Sequence, residues 1–314
     1  LFQYVTGSLK DVTFEVFALE DVKSADGESE DYYKKDELVA TITTDDTGIA
    51  KVSGLPLGKY YVKEKATVNG FVLDNEAREI DLTYRDQDTA EVTYSADWQN
   101  NRQKAEVEVV KKEKDSDCVL EGAVFALCAK NDITGADGNV ILEADTVIEE
   151  LATDKEGKLT FTADLPIGFE YYIKETSPAP GFATTDETQE FTFEYEGAEK
   201  EKVSYVFTFE DEPTVIEITK TSLTDGKELE GAKLQVTDES GKVVDSWTSG
   251  KEAHIIKELV VGQKYTLTET KPADGFVTAE SITFTVEDTA EAQKIEMKDD
   301  VTKVEISKTC LLYT

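Results

Sequence analysis

The chain has one histidine and three cysteines in 314 residues, and its 33 basic residues are outnumbered by 67 acidic ones. Each shortage removes a class of function. His254 has no second histidine with which to build a metal or catalytic set, and it reads as an exposed strand residue. Cys118, Cys128 and Cys310 have no metal-ligand spacing, and an odd number cannot close a full disulfide framework. Cys118 falls in a turn and Cys128 is out of phase with Phe125 and Leu127, so neither reads as a nucleophile. The net charge of −34 repels phosphate backbones and anionic membrane surfaces, which argues against nucleic acid as a partner. No apolar run nears the roughly 18 residues of a membrane span, and the start LFQYVTGSLK lacks the parts of a signal peptide. There is no DxDxDG calcium loop, no cofactor motif, and no serine motif for hydrolysis. Helical periodicity is scarce as well: only EADTVIEELA, 143 to 152, reads as a helical turn or two.

What the sequence holds instead is repetition. YYVKEK, YYIKET and YTLTET begin at 60, 171 and 265, each after a leucine and a glycine turn, and each is followed by a Gly-Phe pair. Glu64 to Gly70, Glu175 to Gly181 and Glu269 to Gly275 are all six residues apart. Between these landmarks apolar and polar residues alternate with period two, as in EFTFEY and SITFTVE, and DDTG, DKEG and DESG mark turns. About seven short strands per unit predict tandem all-β domains, each a Greek-key, immunoglobulin-like β-sandwich. The expected boundaries are 1–103, 104–213 and 214–302, with 303–309 opening a fourth unit. Joints this short predict a semi-rigid string of beads.

Strand parity puts charge inside these units. Lys111 is in phase with Val107 and Val109, and Lys220 with Ile216 and Ile218; both lie eleven residues before the glycine of a shared LEGA. Asp211 is in phase with Phe207 and Phe209, Asp299 with Ile295 and Met297, and Glu175 shares a face with Tyr171 and Ile173. Burying such groups costs several kcal/mol per ion, at about that order. In an apolar site the lysine pKa falls and carboxyl pKa values rise. A neutral amine beside a neutral carboxylic acid can react. The amine attacks the aspartyl carbonyl, the glutamate donates to the developing oxyanion and shuttles protons, and water leaves as an amide forms.

The strings ITKTSLTDGKELEGAKLQV, YTLTETKPADGF and IEMKDDV resemble the B-type repeats of Gram-positive collagen adhesins and pilins, whose sandwiches form Lys-Asn or Lys-Asp isopeptide bonds. The likeness runs through all three units and is densest in the third. It implies Lys220 as amine donor, Glu269 as catalytic carboxyl and Asp299 as acceptor; in the second unit these roles fall on Lys111, Glu175 and Asp211. In the first they fall on Glu64 and on Asn100, which lies 36 residues after Glu64 as Asp211 lies 36 after Glu175. Asn101 is out of phase with Trp98. With Asp11 opposite Gly122, the matching lysine position precedes Leu1, and Lys10 falls in a turn. An uncrosslinked Asn100 and an open sheet edge are therefore expected in the first unit.

The implied function is a stalk segment of a Gram-positive cell-surface adhesin or pilin-like protein, extracellular and anchored to the cell wall through a signal outside this stretch. It would be a monomer or part of a surface polymer, crosslinking itself once per site rather than turning over as an enzyme, with no cofactor. Two other readings stand beside it. The insertion EDVKSADGESEDYYKKDE, 20 to 37, has tyrosines beside mixed charge and suits binding of a host matrix protein or glycan; alternatively the units are spacers on a secreted enzyme. At the far end CLLYT, 310 to 314, fits no repeat and reads as a sequencing-adapter artefact.

Overall fold

The computed structural model describes residues 2–89 and 91–308, and within them every regular element is a strand. The expected artefact at 310–314 lies outside the described residues, as does Thr309. The first unit supplies β1 (Thr13–Ala18), β2 (Leu38–Thr43), β3 (Lys59–Ala66) and β4 (Arg78–Asp81), joined in one antiparallel sheet ordered β2-β1-β3-β4. The second runs through β5 (Lys104–Glu113), β6 (Val124–Ala129), the small hairpin β7 (Ile133–Thr134) and β8 (Val140–Leu142), β9 (Val147–Ala152) and β10 (Lys158–Phe161). It ends with β11 (Glu170–Ser177), β12 (Thr188–Thr192) and β13 (Lys202–Asp211). The third has β14 (Val215–Ser222), β15 (Lys233–Asp238), β16 (Val243–Thr248) and β17 (His254–Lys257), then β18 (Lys264–Lys271), β19 (Ile282–Thr285) and β20 (Gln293–Asp299).

Each of these last two units is a sandwich of a three-stranded and a four-stranded sheet: β10-β5-β13 over β12-β11-β6-β9, and β17-β14-β20 over β16-β15-β18-β19. The alternation explains the layering. Val107, Val109 and Phe209 of one sheet meet Phe125, Leu127, Tyr171 and Ile173 of the other. In the third unit Ile216, Ile218 and Met297 meet Leu234, Val236 and Leu267. The middle strand of each three-stranded sheet is the unit's first strand, and it pairs in parallel with the unit's last: β5 with β13, and β14 with β20.

That placement explains the first unit. An open edge is the expectation from sequence, but the strand its neighbours would flank is the central one, so the difference is larger. Among the described residues, neither 50–57 nor 91–101 forms a strand, and the second sheet is not built. Residues 2–9 do not take the central place. They run over the second unit, where Phe2 packs on its core, Tyr4 donates to the Asp164 carbonyl (2.8 Å), and the Arg102 guanidinium lies 3.4 Å from the Tyr4 ring centroid.

Two local readings change. The helical spacing at 143–152 belongs to strand β9: a bulge opposite Leu127 and Cys128 lets Ile148 and Leu151, three residues apart, both pack on the core. His254 is half-buried rather than exposed, stacked on Trp247 (centroids 4.0 Å apart) with Nε2 2.8 Å from Asp245 Oδ2. Cys128 points away from the core as its phase requires, yet it is buried, beside Tyr172 on β11.

The turns before β1, β6 and β15 are built alike. Asp11, Gly122 and Gly231 have φ of 64°, 86° and 92°, which supports their alignment. A buried hydroxyl then satisfies the next N–H: Thr44 for Val12 (2.9 Å), Thr153 for Ala123 (3.1 Å) and Ser249 for Ala232 (3.0 Å). Thr153 also donates to the Leu120 carbonyl (2.7 Å). Thr153→Val leaves two buried backbone groups unpaired and is expected to destabilise the second unit by about 1–3 kcal/mol. A lower denaturant midpoint checks this; an unchanged one contradicts it.

Candidate functional site

Lys111 is near the end of β5 and Asp211 is the last residue of the adjacent β13. In the parallel register Lys111 lies beside Phe209 and Asp211 beside Glu113, so lysine and aspartate occupy one face two positions apart on neighbouring strands. Their side chains meet: Lys111 Nζ contacts Asp211 Oδ1 and is 3.1 Å from Glu175 Oε1. The third unit repeats this, with Lys220 Nζ contacting Asp299 Oδ1 and 3.0 Å from Glu269 Oε1. All six residues are at least 94% buried, Lys111 completely.

The glutamates come from the facing sheet, on β11 and β18, and strand parity alone does not account for how they are held. After each one the pairing skips a residue: Glu175 opposes Phe125 but Ser177 opposes Val124, and Glu269 opposes Leu234 but Lys271 opposes Lys233. The first unit has the same bulge after Glu64. It ends the alternation at the glutamate and turns the chain away. The chain then reverses at Gly70, Gly181 and Gly275, whose φ of 94°, 93° and 90° suits glycine. The phenylalanine that follows makes an isolated bridge to the segment that leaves the unit: Phe71 to Arg102, Phe182 to Pro213, Phe276 to Val301. The returning loop sets a backbone N–H over the second carboxyl oxygen. Asp74 N–H donates to Glu64 Oε2 at 2.7 Å, Thr185 N–H to Glu175 Oε2 at 2.9 Å, and Ala279 N–H to Glu269 Oε2 at 2.8 Å. The six-residue spacing from glutamate to glycine is thus the length of a loop that returns to hold that glutamate. The recurring Gly-Phe marked it in sequence, without revealing the bulge or the hydrogen bond.

Two carboxylates and one ammonium in an apolar box carry an uncompensated negative charge. Burial pushes the Glu175 carboxyl up to about 7 against the opposing pull of Lys111. Burial also raises Asp211 and Asp299, again against their lysine. Asp211 Oδ2 and Asp299 Oδ2 have no hydrogen-bond partner, and Glu175 Oε1 and Glu269 Oε1 have only the lysine ammonium about 3 Å away. One proton taken up by the two carboxyls neutralises the set, and a second, passed from the lysine ammonium to the remaining carboxylate, gives an uncharged amine against a carboxyl carbon. Aromatic rings wall the second site: Lys111 Nζ is 5.4 Å from the Phe125 centroid, and Phe125 is 4.9 Å from Phe209. Among the described residues no histidine, cysteine or carboxylate cluster is arranged to hold a metal.

One domain family, described as SpaA, prealbumin-like fold domain, matches three times, over residues 4–98, 105–206 and 214–301. The chain belongs to the SpaA prealbumin-like fold family. The solved structure of the Bacillus anthracis TIE protein is 28% identical with a TM-score of 0.54, over 94% of this chain and 48% of that one, so the chain spans about half the length of this relative. BcpA, the major pilin subunit of Bacillus cereus, is 15% identical (TM-score 0.42, 94% of this chain and 95% of that one). The shaft pilin SpaA from Lactobacillus rhamnosus GG is 16% identical (TM-score 0.29, 65% and 100%). No curated protein matches.

The first SpaA-type unit has the carboxyl and the amide but no amine. Asn100 Nδ2 donates to both Glu64 oxygens (2.8 Å each) and to the Val72 carbonyl (2.9 Å). Asn101 is exposed. Lys10 stays in its turn, paired with Asp46 at 2.6 Å. An open cleft of about 410 Å³ lies beside Asn100, bordered by Val72, Asp74, Gln99 and Glu201.

The second SpaA-type unit yields a pH test. Lys111→Met removes the charge that opposes burial, so the folded carboxyl pKa lies well above its unfolded value of about 4.3. Stability is then fully present below the unfolded pKa and is lost as pH rises through the folded pKa, which is raised further than the value of about 7 that Glu175 has beside Lys111. The variant is expected to melt at a lower temperature at pH 8 than at pH 5; equal melting temperatures would contradict a buried carboxyl pair.

Proposed function

We propose that the second and third units each form an intramolecular amide, Lys111 to Asp211 and Lys220 to Asp299, with Glu175 and Glu269 as the acid-base carboxyls. The observation that carries this reading is the meeting of a buried lysine amine, an acceptor carboxyl and a second carboxyl about 3 Å away, in two units alike. The uncharged amine attacks the aspartyl carbon and the glutamic acid donates to the oxygen that gains charge. The amine proton is returned through the same glutamate, the C–O bond breaks, and one water leaves per amide. Each site reacts once, so the chain is not an enzyme in the turnover sense.

The output of such bonds is mechanical. Force entering at the start of β5 would pass through Lys111 to Asp211 and leave at once into β14, then cross from Lys220 to Asp299. The residues between stay outside the load path. By analogy with a disulfide, closing the 100-residue span from Lys111 to Asp211 contributes about 4.7 kcal/mol, and the amide is not reducible. Three SpaA-type domains in series support a length of stalk from a Gram-positive surface pilus or pilin-like adhesin, held outside the cell at the wall. Unit boundaries at 103/104 and 213/214 go with this reading. The 20–37 insertion gives no specific support to ligand binding: Lys23 and Lys34 both pair with Asp31 within the insertion itself.

The purified chain is expected to weigh two waters less than its sequence mass. Glu269→Ala restores one water and Lys111→Ala the other; the full unreacted mass in the unaltered chain would contradict the proposal. In the first unit, a chain extended at its N-terminus by about eight alternating residues ending in lysine is expected to fill the central strand position and lose one ammonia at Asn100. A loss that persists after Glu64→Ala would contradict that assignment.

A further inference from the structure

In the first two units the loop that holds the glutamate is itself held by the next unit. In the second unit, Thr184 donates through its N–H to Asp288 Oδ1 and through its hydroxyl to Asp288 Oδ2, both at 2.8 Å, and Asp288 belongs to the third unit. The very next N–H, that of Thr185, holds Glu175. The first unit repeats the relation by other means. Leu73 N–H donates to the Ala198 carbonyl of the second unit at 2.9 Å, and the next N–H, that of Asp74, holds Glu64. Asp288 and Ala198 occupy the same place in their units, the loop before the last strand, β20 or β13.

Other contacts fix the loops at these joints. Tyr195 donates to the Phe71 carbonyl at 3.0 Å across the first joint. At the second, Thr214 Oγ1 bonds the carbonyls of Gly181 (3.2 Å) and Leu259 (2.7 Å), and a Cβ on Gly181 would stand 2.8 Å from the Glu258 carbonyl oxygen. The peptide between Thr184 and Thr185 carries the N–H that holds Glu175. With Thr184 gripped at both its N–H and its hydroxyl, that peptide loses the freedom to rotate, and the glutamate oxygen keeps its donor. In the third unit Thr278 occupies the matching place and is exposed.

We propose that the reactive glutamate of each unit is positioned by the unit that follows it, with Asp288 the positioning residue for Glu175 in formation of the Lys111–Asp211 amide. The inference rests on the crosslinking reading and adds direction to it. A unit reaches its full rate only after its C-terminal neighbour has folded and docked, so crosslinks mature behind the growing end of the chain during synthesis. The chemistry is unchanged: the Lys111 Nζ–Asp211 Cγ bond forms, the Cγ–O bond breaks, and one water leaves.

The test follows both amides in the full chain by time-resolved peptide mass spectrometry after cell-free translation. In the unaltered chain the Lys111–Asp211 amide is expected to form faster than the Lys220–Asp299 amide. Asp288→Ala is expected to slow the former about five- to ten-fold, the effect of losing a hydrogen bond, while the latter keeps its rate and reports that the third unit has folded. Asp288→Asn keeps an acceptor for the Thr184 N–H and is expected to restore most of the lost rate, which a general loosening of the joint would not predict. Unchanged Lys111–Asp211 kinetics in Asp288→Ala, with the third unit crosslinked, would overturn the inference alone. No amide in either unit of the unaltered chain would overturn the crosslinking reading, and this inference with it.

Discussion

A lysine amine buried between two carboxyls is the constraint around which the second and third units are built. As an ion cluster it is a poor source of stability, because removing three charged groups from water costs more than their attraction returns unless every lone pair is satisfied. Here several are not: Asp211 and Asp299 each keep an oxygen without a partner. Conversion to an amide, as proposed, would resolve the difficulty: the charges of lysine and aspartate go, and the remaining glutamate, whose carboxyl burial pushes up to about 7 in the second unit, can stay protonated beside a neutral bond. The surrounding sandwich supplies the dry walls and the fixed approach that such a conversion needs.

Topology decides what the bond does. The first strand is the middle of its sheet and lies parallel to the last, so the chain enters and leaves each unit along neighbouring strands. Pulling on the ends would shear that one ladder, and the lysine and the acceptor sit at the end of it where the chain exits. The first unit illustrates the dependence from the other side: where the middle strand is not formed, the strands to either side of it are not formed either, and Asn100 faces an open cleft rather than an amine. The joints follow the same economy of parts. The Gly-Phe loop bridges to the segment leaving its unit, holds the glutamate and, in the first two units, meets the next unit, so one loop both positions the carboxyl and docks the neighbour.

Much of this was legible in the sequence because strand parity is a strict rule. Lys111, Lys220, Asp211 and Asp299 read as inward from their apolar neighbours two residues away, and they are buried. Glu64, Glu175 and Glu269 were marked by repetition. The helical reading of 143–152 failed because a bulge at Ile148 gives a strand a helix-like three-residue spacing, and periodicity cannot separate the two. Bulges after the glutamates, the N–H donors ten residues on, and the Asp288 and Ala198 contacts were not legible. They depend on backbone geometry and on pairs far apart in the chain. His254 is sheltered by Asp245 and Trp247, close in sequence but on a strand of the other sheet, a packing that alternation along its own strand does not encode.

The most direct measurement is the covalent connectivity itself. After proteolytic digestion, tandem mass spectrometry is expected to find branched peptides in which Lys111 is joined to Asp211 and Lys220 to Asp299. Linear peptides carrying a free lysine at 111 and 220 and free aspartates at 211 and 299 would contradict the account.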